Sequence, residues 1–223
     1  MDLIKTIDCA VMVEPRKHPD LESVINNILK NLPTTPIHIF HGKLNNSHLN
    51  NTYKNEIETN RIKLTNLNIV NLTIREYSDM LVTKKFWDQI SGENILIFQT
   101  DSCICNLIDL SIYSDYGYVG APSRLYPSTW QNGGFSLRKR SLMLLAISDK
   151  KPTDNIFPED KYFSVIKQHI TNPAPYDLAL KFSVEQYYYD KPFGLHKAWL
   201  YLTKEKWAQL KKDCPEINLV FKF

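Results

Sequence analysis

The sequence predicts an α/β fold, an αβα sandwich around a mostly parallel central sheet. Over roughly the first hundred residues, short apolar runs alternate with segments of helical periodicity, as βαβ units do. The runs are apolar almost throughout rather than alternating, which suits strands covered on both faces.

In order, Thr6–Val13 predicts the first strand, ended at Glu14-Pro15-Arg16. Pro19–Leu32 places Leu21, Val24, Ile25, Ile28 and Leu29 at helical spacing, with Asp20 as a candidate cap and Pro33 closing the helix. Pro36–His41 predicts the second strand, stopped by Gly42. The asparagine-rich stretch "KLNNSHLNNTYKNE" predicts a loop entering a short helix. Leu67–Ile74 predicts the third strand, Ser78–Ile90 a second amphipathic helix, and Asn94–Thr100 the fourth strand. The second half is less regular. It predicts a strand at Tyr116–Pro122, then a Gly-Gly turn, an extended piece and a helix over Trp130–Ser148. A helix over Phe157–Ile170 follows, then a helix end and strand over Asp177–Tyr189, and a last helix at Lys204–Lys212. No repeat or low-complexity linker divides the chain, so one domain is expected over residues 1–223.

The bulk numbers narrow the function. Apolar residues at 43% and charged residues at 23% are ordinary for a soluble globular chain. A net charge of +3 is too weak to suggest nucleic acid, whose binders concentrate basic residues on one face. The run "LRKRS" (137–141) reads first as a solvated helix start, with an anionic ligand as the sharper alternative. Met1–Ala10 lacks the apolar core of a signal peptide, and no run approaches the roughly 20 apolar residues of a membrane helix. Cys9, Cys103, Cys105 and Cys214 show no C-x-x-C spacing, which favours a reducing, cytoplasmic compartment.

Candidate chemistry begins where the fourth strand ends, in "NILIFQTDSCIC" (94–105). Ligands of open α/β sheets bind outside the carboxyl ends of the strands. Asp101 falls there, and a carboxylate in that place is either a holder of a hard cation or a loop cap. Cys103 and Cys105, without a further cysteine nearby in sequence, read as small buried apolar residues. Asn132-Gly133-Gly134 requires either positive φ or close approach, in a chain with only 7 glycines. Glu159-Asp160 opens a predicted helix, where carboxylates complement the macrodipole or serve as a general base. His196 stands alone near the end, and a lone histidine is more often structural than a ligand.

In order, "IFQTD", "WQNGGFSLR", "FPEDKYF" and "FGLHKAW" together resemble glycosyltransferases of the GT-A fold. The opening "VEPRKHPDLESVINNIL" is similar to a GT-A-like family with a Glu-Pro-Arg-x-His-Pro block after its first strand. The resemblance spans nearly the whole chain and implies a Rossmann-like fold, with 1–105 as nucleotide-binding half and 106–223 as acceptor side. "FQTD" stands where the family has D-x-D, with Gln99 at the first aspartate and Asp101 at the last. "HKAW" departs from the His-x-x-Gly-x-x-Lys-Pro-Trp form of some retaining families.

The resemblance implies a hexosyltransferase acting on a nucleoside-diphosphate sugar, with UDP-sugar as the expected donor and a glycan or other hydroxyl as acceptor. Asp101 and His196 are the implied ligands of Mn2+ or Mg2+. Glu14, Arg16, Gln99, Thr100 and Lys197 are the implied donor contacts. Asp160, beside Glu159, is the implied base of an inverting reaction. Trp130, Asn132, Gly133 and Gly134 are expected to shape the sugar and acceptor pocket. Replacement of the first aspartate makes a weak or inactive nucleotide-sugar- or glycan-binding module the rival reading. A nucleotidyltransferase ranks lower, since Met1–Pro19 contains no glycine for a phosphate loop.

Overall fold

In the computed structural model, which describes residues 7–125 and 129–221, the first apolar run forms β1 (Cys9–Glu14), buried along its length. Thr6, expected in that strand, lies outside the described residues. Helix α1 (Leu21–Asn31) buries Leu21, Val24, Ile25 and Ile28 and leads to β2 (Ile37–His41). The asparagine-rich stretch is more helical than expected, forming α2 (Asn46–Thr52) and α3 (Lys54–Glu58). Then come β3 (Ile62–Asn66), α4 (Ile74–Leu81), α5 (Lys84–Trp87), β4 (Asn94–Phe98) and β5 (Ser102–Ile104). The second half holds β6 (Tyr118–Val119), β7 (Phe135–Lys139) and α6 (Arg140–Ser148). A helical segment follows as α7 (Glu159–Lys161), a π-helical turn over Tyr162–Ile166 and α8 (Gln168–Thr171). The remaining elements are α9 (Tyr176–Phe182), β8 (Ser183–Val184), β9 (Gly194–His196), α10 (Lys204–Asp213) and α11 (Glu216–Val220).

A six-stranded sheet in the order β3-β2-β1-β4-β7-β6 forms the centre, and β5-β9-β8 makes a second, smaller sheet. The neighbours β3, β2, β1 and β4 are parallel, whereas β7 runs against both β4 and β6. The central sheet is therefore mostly parallel, as expected. Successive residues of β1 pack to opposite sides. Ala10 and Met12 join α1 in one core cluster, and Cys9, Val11 and Val13 meet Phe86, Trp87 and Met143 in the other. Burial of both faces accounts for the unbroken apolar runs. Each fully buried leucine or isoleucine stabilises the fold by about 1.5–3 kcal/mol.

Several expectations require correction. The third strand is Ile62–Asn66, not Leu67–Ile74. Asn68 adopts φ 59°, which takes the chain out of extended geometry, and Ile74 already begins α4. Leu67 and Leu72 pack from a loop instead. The helix expected over Ser78–Ile90 begins earlier, at a Thr73–Glu76 capping box, and breaks at Thr83, which caps α5. The basic run is a solvated helix start only at its end, where Arg140 and Ser141 open α6; Arg138 lies within β7 and is fully buried. Cys105 is not an isolated apolar residue, because it forms a disulfide with Cys214, which removes the cysteine argument for a reducing compartment. Cys9 and Cys103 are free and buried, Cys103 as expected. Among the described residues no helix is long and apolar enough to cross a membrane.

Candidate functional site

The topology delivers the site residues to one edge of the sheet. β1 and β4 are adjacent and parallel, so Glu14 and the Gln99-Thr100-Asp101 turn emerge side by side. β7 is antiparallel to β4 with Phe98 opposite Phe135, which places the start of β7, and Gly133-Gly134 before it, against that same turn. In the small sheet Ser102 pairs with His196, and the Lys197 amide donates to the Asp101 carbonyl at 2.8 Å. Together these ends enclose a cleft of about 710 Å3. It is lined by every candidate named from the sequence: Glu14, Arg16, Gln99, Thr100, Asp101, Trp130, Asn132, Gly133, Gly134, Glu159, Asp160, His196 and Lys197. A volume of this size is typical of small-molecule sites.

At the β1 end, Arg16 donates from Nε and Nη2 to the two oxygens of buried Glu14, at 2.8 and 2.7 Å. The Thr100 hydroxyl donates to the same carboxylate at 3.4 Å. Asn45 secures the loop by donating to the carbonyls of Glu14 and Arg16. The bidentate pair holds Arg16 at the mouth of the cleft, where its side chain is 52% exposed.

The Gln99 turn is tied by Ser102, whose hydroxyl donates to the Gln99 carbonyl at 2.7 Å. His196 Nε2 stands 3.1 Å from Asp101 Oδ1 and 3.2 Å from Gln99 Oε1. On the other side of the ring, Nδ1 is 3.3 Å from Oε1 of Glu185, which follows β8 directly. Burial opposes charge on this imidazole, yet Asp101 and Glu185 push its pKa up to about 9. Burial likewise works against the Asp101 carboxylate, but His196 and Lys197 hold its pKa down to about 2. Among the described residues Asp101 Oδ1, Glu185 Oε1 and His196 Nδ1 are buried and make no aligned hydrogen bond, despite these short distances. The Tyr77 hydroxyl, also at the cleft, is buried and makes no aligned hydrogen bond among the described residues.

A second wall of the cleft is built around Asp160. Trp130 Nε1 donates to its Oδ1 and the Gly133 amide to its Oδ2, each at 3.2 Å. Burial and the neighbouring Glu159 push the Asp160 pKa up to about 7. Glu159 faces the other way, accepting from Arg138 Nη2 at 2.8 Å. Arg138 also stacks over Tyr118 and Phe163, with its guanidinium 4.9 and 5.8 Å from the ring centres. The helix carrying these carboxylates widens into its π-helical turn one residue after Lys161, a distortion often found at functional sites.

The Gly-Gly pair is explained by close approach, not by positive φ. A Cβ at Gly133 would lie 2.5 Å from Arg138 Nη2 and 2.6 Å from Glu159 Oε1. One at Gly134 would lie within 2.5 Å of three atoms of the His196 ring. Asn132 accepts from the Gly134 amide at 2.8 Å, fixing the turn. Glu185 and Tyr77 were missed by sequence reasoning. Neither sits in a motif, and both reach the cleft only through the packing of elements distant in sequence.

Residues 59–196 match the model of a family described as "Protein of unknown function (DUF5672)". The chain belongs to the DUF5672 family. The matched region includes the Gln99–Asp101 turn, Glu159-Asp160 and His196, and begins after the Glu14-Pro15-Arg16 block. No curated protein matches the chain in sequence. Among solved structures, this DUF5672 chain is similar to the glycosyltransferase GlyE of Streptococcus pneumoniae TIGR4, with a TM-score of 0.55 at 11% identity. That likeness covers 97% of the chain and 61% of GlyE. The mannosyltransferase PcManGT of Pyrobaculum calidifontis, in complex with GDP-Man and Mn2+, matches with a TM-score of 0.52 at 12% identity, over 75% of the chain and 54% of PcManGT. The DUF5672 chain thus has a glycosyltransferase-like fold and spans little more than half the length of these two enzymes.

Proposed function

We propose that this protein is a metal-dependent, inverting glycosyltransferase that moves a sugar from a nucleoside-diphosphate sugar, most readily a UDP-sugar, to an acceptor hydroxyl. The observation that carries this reading is the convergence of Gln99, Asp101 and His196 in the same cleft as Asp160. The complex of a fold neighbour with GDP-Man and Mn2+ supports the class of donor and cation.

The donor set fits a hard divalent cation, Mn2+ or Mg2+, since a carboxylate oxygen, an amide oxygen and an imidazole nitrogen converge. Adjacent ligands on an octahedral ion with bonds of about 2.1 Å stand about 3 Å apart. The separations from His196 Nε2 to Asp101 and Gln99, 3.1 and 3.2 Å, agree. Asp101 Oδ1 is buried and faces His196 Nε2 without an aligned hydrogen bond, which leaves its lone pairs open to a ligand. A bound cation supplies Lewis-acid neutralisation of the diphosphate leaving group. Arg16 and Lys197 line the donor side and add positive charge toward the phosphates.

On the acceptor side, the hydroxyl oxygen forms a bond to the anomeric carbon as the bond from that carbon to the diphosphate breaks. The hydroxyl proton passes to the Asp160 carboxylate. A pKa near 7 makes Asp160 a far stronger base than an ordinary aspartate at neutral pH. Trp130 and the Gly133 amide orient it, and Glu159 is engaged by Arg138. Asp160 is therefore the base and Glu159 its support.

Turnover of a panel of UDP- and GDP-sugars with Mn2+, followed by mass spectrometry, tests the reading. Product is expected with the wild type and none with Asp101→Ala. Retained anomeric configuration in the product would remove Asp160 from its role. The rival binding module is favoured by one observation, the amide of Gln99 in place of a carboxylate. Donors that raise the melting temperature by mass action without ever turning over would establish that module instead.

A further inference from the structure

We propose that Glu185 is a positioning residue that presents His196 Nε2 to the cation and supplies, through the ring, the negative charge that Gln99 lacks. The inference rests on the metal reading above. Glu185 is 1% exposed, and a carboxylate so buried requires a compensating partner. The nitrogens that face it are His196 Nδ1 at 3.3 Å and Lys197 Nζ at 3.7 Å. Its Oε2 receives only a long contact from its neighbour Gln186, at 3.4 Å. Its Oε1 faces both nitrogens and has no aligned hydrogen bond.

The placement follows from the small sheet. Val184 pairs with Leu195 in the parallel β8–β9 ladder, so the next residues, Glu185 and His196, leave it together. His196 also pairs with Ser102, one residue past Asp101. The imidazole is thereby clamped between Glu185 on Nδ1 and the Asp101–Gln99 pair on Nε2. Gly134 packs against the Nε2 end of the ring and fixes its height in the cleft. A carboxylate on the far nitrogen of a metal-binding histidine fixes its orientation and strengthens it as a ligand. Here the same carboxylate offsets the exchange of an aspartate for Gln99, restoring two acidic groups to the neighbourhood of the cation.

The test is Mn2+ affinity measured by electron paramagnetic resonance, without reference to turnover. Glu185→Gln keeps the shape and removes the charge, and is expected to weaken Mn2+ binding by about 10–100-fold. Gln99→Asp is expected to raise the affinity more in that variant than in the wild type, a coupling that a merely structural role for Glu185 would not produce. An affinity of Glu185→Gln within about two-fold of wild type overturns the inference and leaves the metal reading standing. Wild-type protein that binds a nucleotide sugar but no Mn2+ overturns both. Should Glu185→Gln fail to fold, the wild type carries the test. With diamagnetic Zn2+ bound, long-range 1H–15N spectra are expected to show His196 protonated at Nδ1 and ligated through Nε2, and ligation through Nδ1 overturns the inference.

Discussion

Gly134 and His196 are packed so closely that the backbone of one defines the resting place of the other. A Cβ at position 134 would meet three atoms of the imidazole within 2.5 Å. Gly134→Ala is therefore expected to push the ring away from Asp101 and Gln99. The measurable result is a loss of Mn2+ affinity of about 10–100-fold, the scale on which supports of metal ligands act. Circular dichroism is expected to remain that of the wild type.

The Asp160 carboxyl sets a pH dependence with opposite signs for activity and stability. With Asp160 as the proposed base, turnover is expected to need the ionised form and to rise through a limb near pH 7. In the unfolded chain the same carboxyl titrates near 4. Because its folded pKa is raised, its contribution to stability is fully present below about pH 4 and is lost as pH rises through about 7. Asp160→Asn is thus expected to abolish turnover and yet melt higher than wild type above pH 7. The gain should shrink toward pH 4. A variant that melts lower at every pH would show that the wild-type carboxylate is not strained by its burial.

Removal of Glu159 would leave Arg138 as an uncompensated charge in the core, since the arginine side chain is 0% exposed. Breaking such a pair from one side costs about 3–5 kcal/mol. Glu159→Ala is expected to show a loss of that size in urea unfolding. The double variant Arg138→Met with Glu159→Leu is expected to recover most of it.

Asn27 is a polar residue on the apolar face of α1. It both donates to the Ile104 carbonyl, at 3.1 Å, and accepts from the Ile104 amide, at 2.8 Å, in place of a neighbouring strand. Asn27→Leu leaves both backbone groups buried and unpaired, and is expected to cost about 1–3 kcal/mol for each. Equilibrium denaturation measures it.

What the sequence made legible follows from how local each signal is. A strand ended by a carboxylate can be read at Asp101, because apolar run and stop are adjacent. The Glu159-Asp160 pair can be read from a helix start for the same reason. β3 was misplaced because the actual strand, "IKLTN", has alternating and partly exposed residues, while the more apolar Leu67–Leu72 stretch is broken by Asn68 in left-handed geometry. Arg138 looked like part of a solvated run, since nothing near it in sequence announces Glu159. Glu185 and the Cys105–Cys214 bridge, whose residues are 109 apart, depend on strand and helix packing that no short window contains.

The reversed direction of β7 has a consequence for how such proteins diversify. The connection through residues 120–134 leaves the end of β6 and returns to the start of β7, so both of its feet stand on the cleft side of the sheet. Insertions or exchanges in that span would rebuild the wall carrying Trp130 and Asn132 without shifting the register that holds Asp101 beside His196. That wall can therefore change its shape and chemistry while the Asp101–His196 arrangement stays as it is.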